Sequence, residues 1–314
     1  MLDQLARPSG TFAMVALDQR DTLRTIVRER TGRTPGEAEL RAFKVAAARL
    51  LSPASSAVLL DRELGLEPVL EAGALAPGCG LIVAADRLVQ APGGPVTATD
   101  LDDTLDAAGL AAAGVVALKL LVIWRNGAER GRVEDTVGRF VARCRGAGLV
   151  SLVEALARPP FAEAGGGPAP TTAATGPAGW DHEAACLDAA AALGALGPDV
   201  YKAEVPFLGR ASGPAIEAAA ARRTALLPCP WVVLSNGVAL DDFPAAVDAA
   251  CRGGASGFLA GRAIWSDSLV PPATPEGGPL DGVEERLGAV ALPRLRALGA
   301  TVDAVARPWS AACG

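Results

Sequence analysis

Short apolar runs, each followed by a longer helix-forming segment, constrain this chain more than any other feature. The runs are FAMVALD (12–18), SAVLLD (56–61), GLIVAAD (80–86), VALKLLVIW (116–124), LVSLVEAL (149–156), VYKAEVP (200–206), WVVLSNGV (231–238) and SGFLAGRAIW (256–265). A strand with one wet face alternates apolar and polar residues. Near-continuous apolar runs are those of parallel strands covered on both faces. Helix-forming segments lie at 37–51, 133–147, 181–195, 212–226 and 240–252, with a long one at 281–306. Eight such alternations in 314 residues favour an α/β chain of one domain, a closed (β/α)8 TIM barrel, over an open doubly wound sheet. No GxGxxG turn follows the first strand, which argues against a dinucleotide-binding domain.

One stretch interrupts the alternation. Residues 157–180, ARPPFAEAGGGPAPTTAATGPAGW, are too rich in Pro, Gly, Ala and Thr to pack as an element. They follow the fifth strand, at the C-terminal mouth of the barrel. Two readings are open, a flexible insertion without a role and a mobile lid over the site.

Composition narrows the function classes. A net charge of −6 shows no basic excess, so a nucleic-acid partner is not expected. The most apolar run, Val115 to Trp124, is short and contains Lys119, so no membrane span is expected either. The N-terminal MLDQLARPSG lacks the pattern of a signal peptide, and a cytoplasmic protein is expected. Six cysteines (79, 144, 186, 229, 251 and 313) form no CxxC pair and read as reduced, mostly buried thiols. His182 is the one histidine, and catalytic zinc takes two or three. No metal and no cofactor are therefore expected, and His182 reads as a surface residue at the start of a helix.

In a barrel of this kind the chemistry sits at the C-terminal strand ends. Those ends carry, in order, Asp18, Asp61, Asp86, Lys119, Glu154, Lys202, Ser235-Asn236-Gly237 and Gly261-Arg262. An unpaired ion inside a barrel costs several kcal/mol, so polar groups on every strand end suggest one shared pocket. Alternation puts Lys202 on the face of Glu204, and Lys119 on the face of Leu121 and Ile123. An amine attacks a carbonyl only when neutral, and burial or a neighbouring cation favours that form. A second lysine beside Lys202 therefore suits an imine-forming amine, with Glu154 on the strand between them to relay protons. An interior Lys–Glu network that only holds the strands in register would use the same residues. The LSNGV and FLAGRA turns, with Arg262, suit an anion, because barrels often bind phosphate after strands seven and eight. A Schiff-base lysine, a proton-relay carboxylate and an oxyanion cradle together describe reversible aldol cleavage without a metal.

The segments MVALDQR (14–20), FKVAAARLLSP (43–53), AVLLDR (57–62), GLIVAAD (80–86), ALKLLVIWR (117–125), GLVSLVEALARPP (148–160), DVYKAEVP (199–206), PWVVLSNGV (230–238) and GASGFLAGRAIWS (254–266) carry a family resemblance. In that order they resemble the class I tagatose-bisphosphate aldolase/sulfofructosephosphate aldolase family, and look closest to the sulfofructosephosphate branch. The resemblance implies Lys202 as the imine-forming lysine, Glu154 as the acid/base, and catalytic roles for Lys119 and Asp18. It implies substrate contacts at Gln19, Ser235, Asn236, Gly237, Gly261 and Arg262. The implied reaction belongs to carbohydrate metabolism. It cleaves 6-deoxy-6-sulfofructose 1-phosphate (sulfoglycolysis) to dihydroxyacetone phosphate and sulfolactaldehyde, or tagatose 1,6-bisphosphate to two triose phosphates.

The chain departs from the family's pattern in places. Asn236 stands where relatives tend to carry a small residue, and the insertion around 162–179 is long. Tyr201 is the sole tyrosine, and alternation points it away from the interior, so a C-terminal tyrosine shuttle has no counterpart. Arg20, Arg62, Arg125 and Arg158 are the candidates for the far end of the sugar. Another Schiff-base lyase, a transaldolase and an inert binding barrel remain open as alternatives. A homo-oligomer acting on a sugar phosphate is expected. If the chemistry needs no metal, incubation with EDTA leaves cleavage activity unchanged; strong loss would overturn the metal-free reading.

Overall fold

The apolar runs close on themselves. The computed structural model describes residues 1–90, 96–125, 127–160, 179–274 and 276–312. Its strands are β1 (Phe12–Leu17), β2 (Ala57–Leu60), β3 (Gly80–Ala84), β4 (Asp86–Gln90), β5 (Val96–Leu101), β6 (Ala117–Trp124), β7 (Val150–Ala157), β8 (Val200–Glu204), β9 (Trp231–Leu234) and β10 (Gly257–Ala260). Eight of them form a closed ring in the order β1-β10-β9-β8-β7-β6-β3-β2, and β4 and β5 form a separate two-stranded sheet. Every pairing in the ring is parallel. The expected single-domain TIM barrel is the observed fold.

Period-two alternation divides the core into two layers. Phe12, Met14, Leu59, Ile82, Leu152, Val200, Val232 and Leu259 fill the barrel interior. The alternate positions, among them Val15, Val58, Leu118, Val153, Tyr201 and Val233, pack outward against the helices. Tyr201 does point away from the interior, as alternation requires. The helical layer comprises α1 (Asp21–Thr31), α2 (Glu37–Leu51), α3 (Leu66–Glu71), α4 (Ala107–Ala112), α5 (Arg130–Ala147), α6 (His182–Gly194), α7 (Gly213–Leu226), α8 (Phe243–Arg252), α9 (Arg262–Trp265), α10 (Val283–Arg286) and α11 (Leu292–Val305). Local signals set the ends. Asp181 caps α6 by accepting the Ala184 N–H at 3.1 Å, and Gly148 ends α5 in the left-handed region. No helix among the described residues is long and apolar enough to cross a membrane. Cys79, Cys144, Cys186 and Cys251 are free thiols, and burial pushes Cys144 and Cys251 up to about 12.

The observed elements differ from the expected ones in several places. The strand expected over 256–265 stops at Ala260, and 262–265 turns into α9. The long segment 281–306 is not one helix, because a π-helical turn at Leu287–Ala291 separates α10 from α11. Helix α1 and the β4–β5 hairpin were not anticipated. Of the stretch 157–180, residues 161–178 lie outside the described residues, and with them the lid reading.

Asp61 also departs from the expected arrangement. It follows β2 as expected but does not join a pocket at the mouth. Its carboxylate turns sideways to pair with Lys44 of α2, and both side chains are completely buried. Lys44 Nζ also donates to the carbonyls of Leu17 at 2.7 Å and Gln19 at 2.8 Å, while Asp61 accepts the Leu64 N–H at 2.6 Å. Burial draws the Lys44 pKa down and the Asp61 charge partly offsets this. A buried cation with three acceptors is a stable arrangement; one missing its carboxylate is not. Asp61→Ala should therefore destabilise the fold by about 3–5 kcal/mol in urea denaturation, and a loss below about 1 kcal/mol would contradict this account.

Candidate active site

Glu154 and Lys202 are aligned residue for residue on β7 and β8, and Glu154 faces Leu121 across the β6–β7 pairing. Register therefore sets the two side chains next to each other on the inner face, one pleat above the apolar plug. Lys202 Nζ donates to Glu154 Oε2 at 3.0 Å, and Lys119 Nζ lies 3.0 Å from the same oxygen. Lys119 also meets Asp18 Oδ2 at 2.8 Å and Asp86 Oδ2 at 3.1 Å. One ammonium thus faces three carboxylates. Asp86 is held in turn by the Leu121 N–H at 3.1 Å and by Arg20 at 3.3 Å.

This geometry decides the charge states. Burial alone would lower the Lys119 pKa, but Asp18, Asp86 and Glu154 outweigh it and hold Lys119 well above its ordinary value. Burial would raise Glu154 and Asp18, yet in both cases the flanking lysines prevail and hold the carboxyl below its usual range. Lys119 is accordingly a fixed cation, and Glu154 an ionised carboxylate in contact with Lys202.

The cluster forms the floor of a cavity of about 570 Å³ at the C-terminal face of the barrel. Asp18, Gln19, Lys119, Glu154, Lys202, Ser235, Asn236, Gly237, Gly261 and Arg262 all line it. The structure brings these ten residues and Asp86 into one space, and of the strand-end groups Asp61 stays outside it. On its wall Arg262 donates to the Asn236 side chain. Burial lowers the Arg262 pKa, with Glu154 and Asp18 opposing. Gly261 is required by close approach: a Cβ there would lie 2.7 Å from the Ala16 carbonyl oxygen and 2.8 Å from Gln19 Nε2. Gly237 has a φ of +79°, which side chains rarely adopt.

Other expectations need correction. Of the four arginines considered for the far end, Arg20 and Arg158 line the cavity and Arg62 and Arg125 do not. Arg62 pairs with Asp102, and Arg125 donates to the Pro159 carbonyl. Glu204, on the face of Lys202 by alternation, is not a cavity residue. As the last residue of β8 it turns to Arg158 at 3.0 Å, His182 Nε2 at 3.2 Å and the Ala157 N–H at 3.0 Å. His182 does begin α6, but it is not a surface residue, because the buried Glu204 carboxylate draws its ring inward to 13% side-chain exposure.

Some lining residues escaped the sequence reading. Leu88, Gln90 and Val96 come from the hairpin and Arg210 from the loop after β8. DRLVQ alternates in burial but not in polarity, and the run is short and polar, so period-two counting does not find the hairpin. Gln19, Arg20 and Gln90 line the cavity, and one buried side-chain atom of each, Gln19 Oε1, Arg20 Nε and Gln90 Oε1, has no hydrogen-bond partner.

Residues 12–267 match the DeoC/LacD family aldolases. The chain belongs to that family. As a DeoC/LacD aldolase it is a lyase, and relatives of known name agree. It is 28% identical over 292 residues to a tagatose 1,6-diphosphate aldolase of Listeria monocytogenes serotype 4b, covering 85% of this chain and 81% of the relative. It is 27% identical over 329 residues to tagatose 1,6-diphosphate aldolase 2 of Streptococcus pyogenes serotype M1, covering 96% and 93%. Among solved structures, the fructose-bisphosphate aldolase of Plasmodium falciparum superposes with a TM-score of 0.67 at 13% identity, covering 98% of this chain and 94% of that one. An archaeal fructose 1,6-bisphosphate aldolase gives 0.58 at 14% identity, covering 96% and 97%. At those identities the structures bear on the fold alone.

Replacing the fixed cation in this DeoC/LacD aldolase should slow turnover rather than weaken binding. In Lys119→Met, kcat is expected to fall about a hundredfold or more with KM within about threefold of the parent. Steady-state kinetics on protein with an unchanged circular dichroism spectrum would check this, and comparable damage to KM would reassign Lys119 to substrate binding.

Proposed function

We propose that this chain is a class I aldolase in which Lys202 forms a Schiff base with a ketose 1-phosphate. The contact between Lys202 Nζ and the ionised Glu154, at 3.0 Å inside a closed barrel, carries the reading. Glu154 carries two protons in turn from the Lys202 nitrogen to the ketone oxygen. The first, taken from Nζ, frees the lone pair for attack on the ketone carbon and then turns the resulting alkoxide into the carbinolamine hydroxyl. The second, shed by nitrogen after attack, lets that hydroxyl depart as water and leaves the iminium with Glu154 ionised again. Glu154 then takes the C4 hydroxyl proton, the C3–C4 bond breaks, and its electron pair flows into the iminium to give an enamine and a free aldehyde. Protonation at C3 and hydrolysis release dihydroxyacetone phosphate and regenerate the amine. Asp18 and Asp86 hold Lys119 in place, and Lys119 keeps Glu154 ionised between steps.

The phosphate end is assigned to the wall formed by Ser235, Asn236, Gly237, Gly261 and Arg262, and Gln19 contacts the sugar. The far end meets Arg20 and Arg158. Each already faces a carboxylate, Asp86 and Glu204 respectively, so the net positive charge left for a ligand is modest. A sulfonate carries one negative charge, whereas a phosphate monoester carries close to two at pH 7. That balance favours 6-deoxy-6-sulfofructose 1-phosphate, cleaved to dihydroxyacetone phosphate and sulfolactaldehyde. The names of the Listeria and Streptococcus relatives favour a second reading, tagatose 1,6-bisphosphate.

Two measurements test these assignments. Borohydride added with substrate should inactivate the enzyme and attach a three-carbon fragment to the peptide containing Lys202; label on another lysine would overturn the Schiff-base assignment. The ratio of kcat/KM for the two sugars settles the substrate, and a preference for tagatose 1,6-bisphosphate would displace the sulfonate reading.

A further inference from the structure

The network that draws His182 inward contains a third group that the aldol chemistry does not use. His182 and Cys186 are one turn apart on α6, so they share a helix face. Both point at the end of β8, where Glu204 Oε2 lies 3.2 Å from His182 Nε2 and 4.0 Å from Cys186 Sγ. Cys186 Sγ is 3.6 Å from His182 Nε2. Imidazole nitrogen, thiol sulfur and carboxylate oxygen thus form a small triangle. Around a tetrahedral zinc-type cation, with bonds near 2.0–2.3 Å, ligand atoms sit about 3.3–3.7 Å apart. The triangle fits that spacing with a shift of a few tenths of an ångström on the longest side.

From this geometry we infer that His182, Cys186 and Glu204 form a binding site for one thiophilic divalent cation of the Zn2+ or Co2+ class, outside the catalytic cavity. The three supply one ligand atom each within a 4.8 Å span. Partners one step further out are already in place. The Ala157 N–H steadies Oε2 at 3.0 Å, and Arg158 bonds the other oxygen, Oε1, at 3.0 Å, leaving Oε2 facing the triangle. Hydrogen-bonded carboxylates of this kind orient metal ligands in general. Without a cation the sulfur sits at the limit of hydrogen-bond reach from Oε2, so the present contacts use the thiol weakly. Partial exposure of the His182 ring leaves a side from which a water could complete the fourth corner. On binding, the Cys186 thiol releases its proton to solvent and the thiolate joins the metal; no electron changes hands. None of the three residues lines the catalytic cavity, so the cation would not touch the reacting carbons. This is consistent with cleavage that survives chelation.

The test is optical and needs no substrate, so its outcome is independent of the aldolase assignment. Metal-stripped protein is titrated with CoCl2 near neutral pH. One equivalent should produce a thiolate-to-cobalt charge-transfer band in the near ultraviolet and intense tetrahedral bands in the visible. ZnCl2 should abolish both. Cys186→Ser should lose the charge-transfer band, and His182→Gln should lose the tetrahedral bands, each with an unchanged far-ultraviolet circular dichroism spectrum. A weak octahedral spectrum with no thiolate band in the parent protein would overturn the site. So would a parent-like spectrum in either folded variant.

Discussion

Inside a ring of parallel strands there is little water to solvate an ion, so each charge must be met by an opposite one. In this barrel that demand centres on the Glu154 carboxylate, which two ammonium groups share through a single oxygen. Remove the carboxylate and two cations face each other across β6, β7 and β8. Remove Lys119 and three carboxylates crowd together. The charges are mutually dependent, and the register of three neighbouring strands holds them at the separations seen. A salt-bridge network serving stability alone would satisfy the same arithmetic. What distinguishes this one is its position on the lining of an open cavity at the C-terminal face of the barrel.

Much of this arrangement is legible in the sequence. Strand identity followed from apolar runs too continuous to be half-wet, and strand ends followed from where charge interrupts them. Lys119, Glu154 and Lys202 stood out because an ion within such a run has to face a partner. Alternation misleads where side chains leave the strand axis. Asp61 and Glu204 occupy strand ends like the others, but each finds a cation off to the side, Lys44 and Arg158 respectively, and period-two counting cannot see a lateral partner. His182 was misjudged for the same reason: a helix start is usually wet, and here the helix start abuts a buried anion. The hairpin over the mouth was missed because its two strands are short, polar and outside the barrel's repeating pattern.

The division of labour within the cavity follows from which elements are rigid. The floor is made by strands β6, β7 and β8, locked by their parallel ladders. The walls come from connecting segments: the hairpin with Leu88 and Gln90, the loop bearing Leu208 and Arg210, and the turns at 235–237 and 261–262. Chemistry on the strands and recognition on the loops is the arrangement by which barrels vary substrate while keeping a reaction. The strained backbone after β8, where Phe207 and Leu208 both adopt positive φ, places Leu208 against Gly237 and couples two of those walls.

The buried lysine of α2 gives the helical layer a part in alignment that its distance from the cavity would not suggest. Lys44 grips the carbonyls of Leu17 and Gln19, the residues on either side of Asp18, while its other acceptor comes from the end of β2. The aspartate is therefore aimed from behind, by a helix that never meets the ligand. Mutational drift on that helix is constrained twice over, by how well it packs and by where it leaves the carboxylate pointing. On the proposed role of Asp18, variants that loosen α2 lose alignment of that carboxylate together with thermal tolerance, so the two traits would evolve as one.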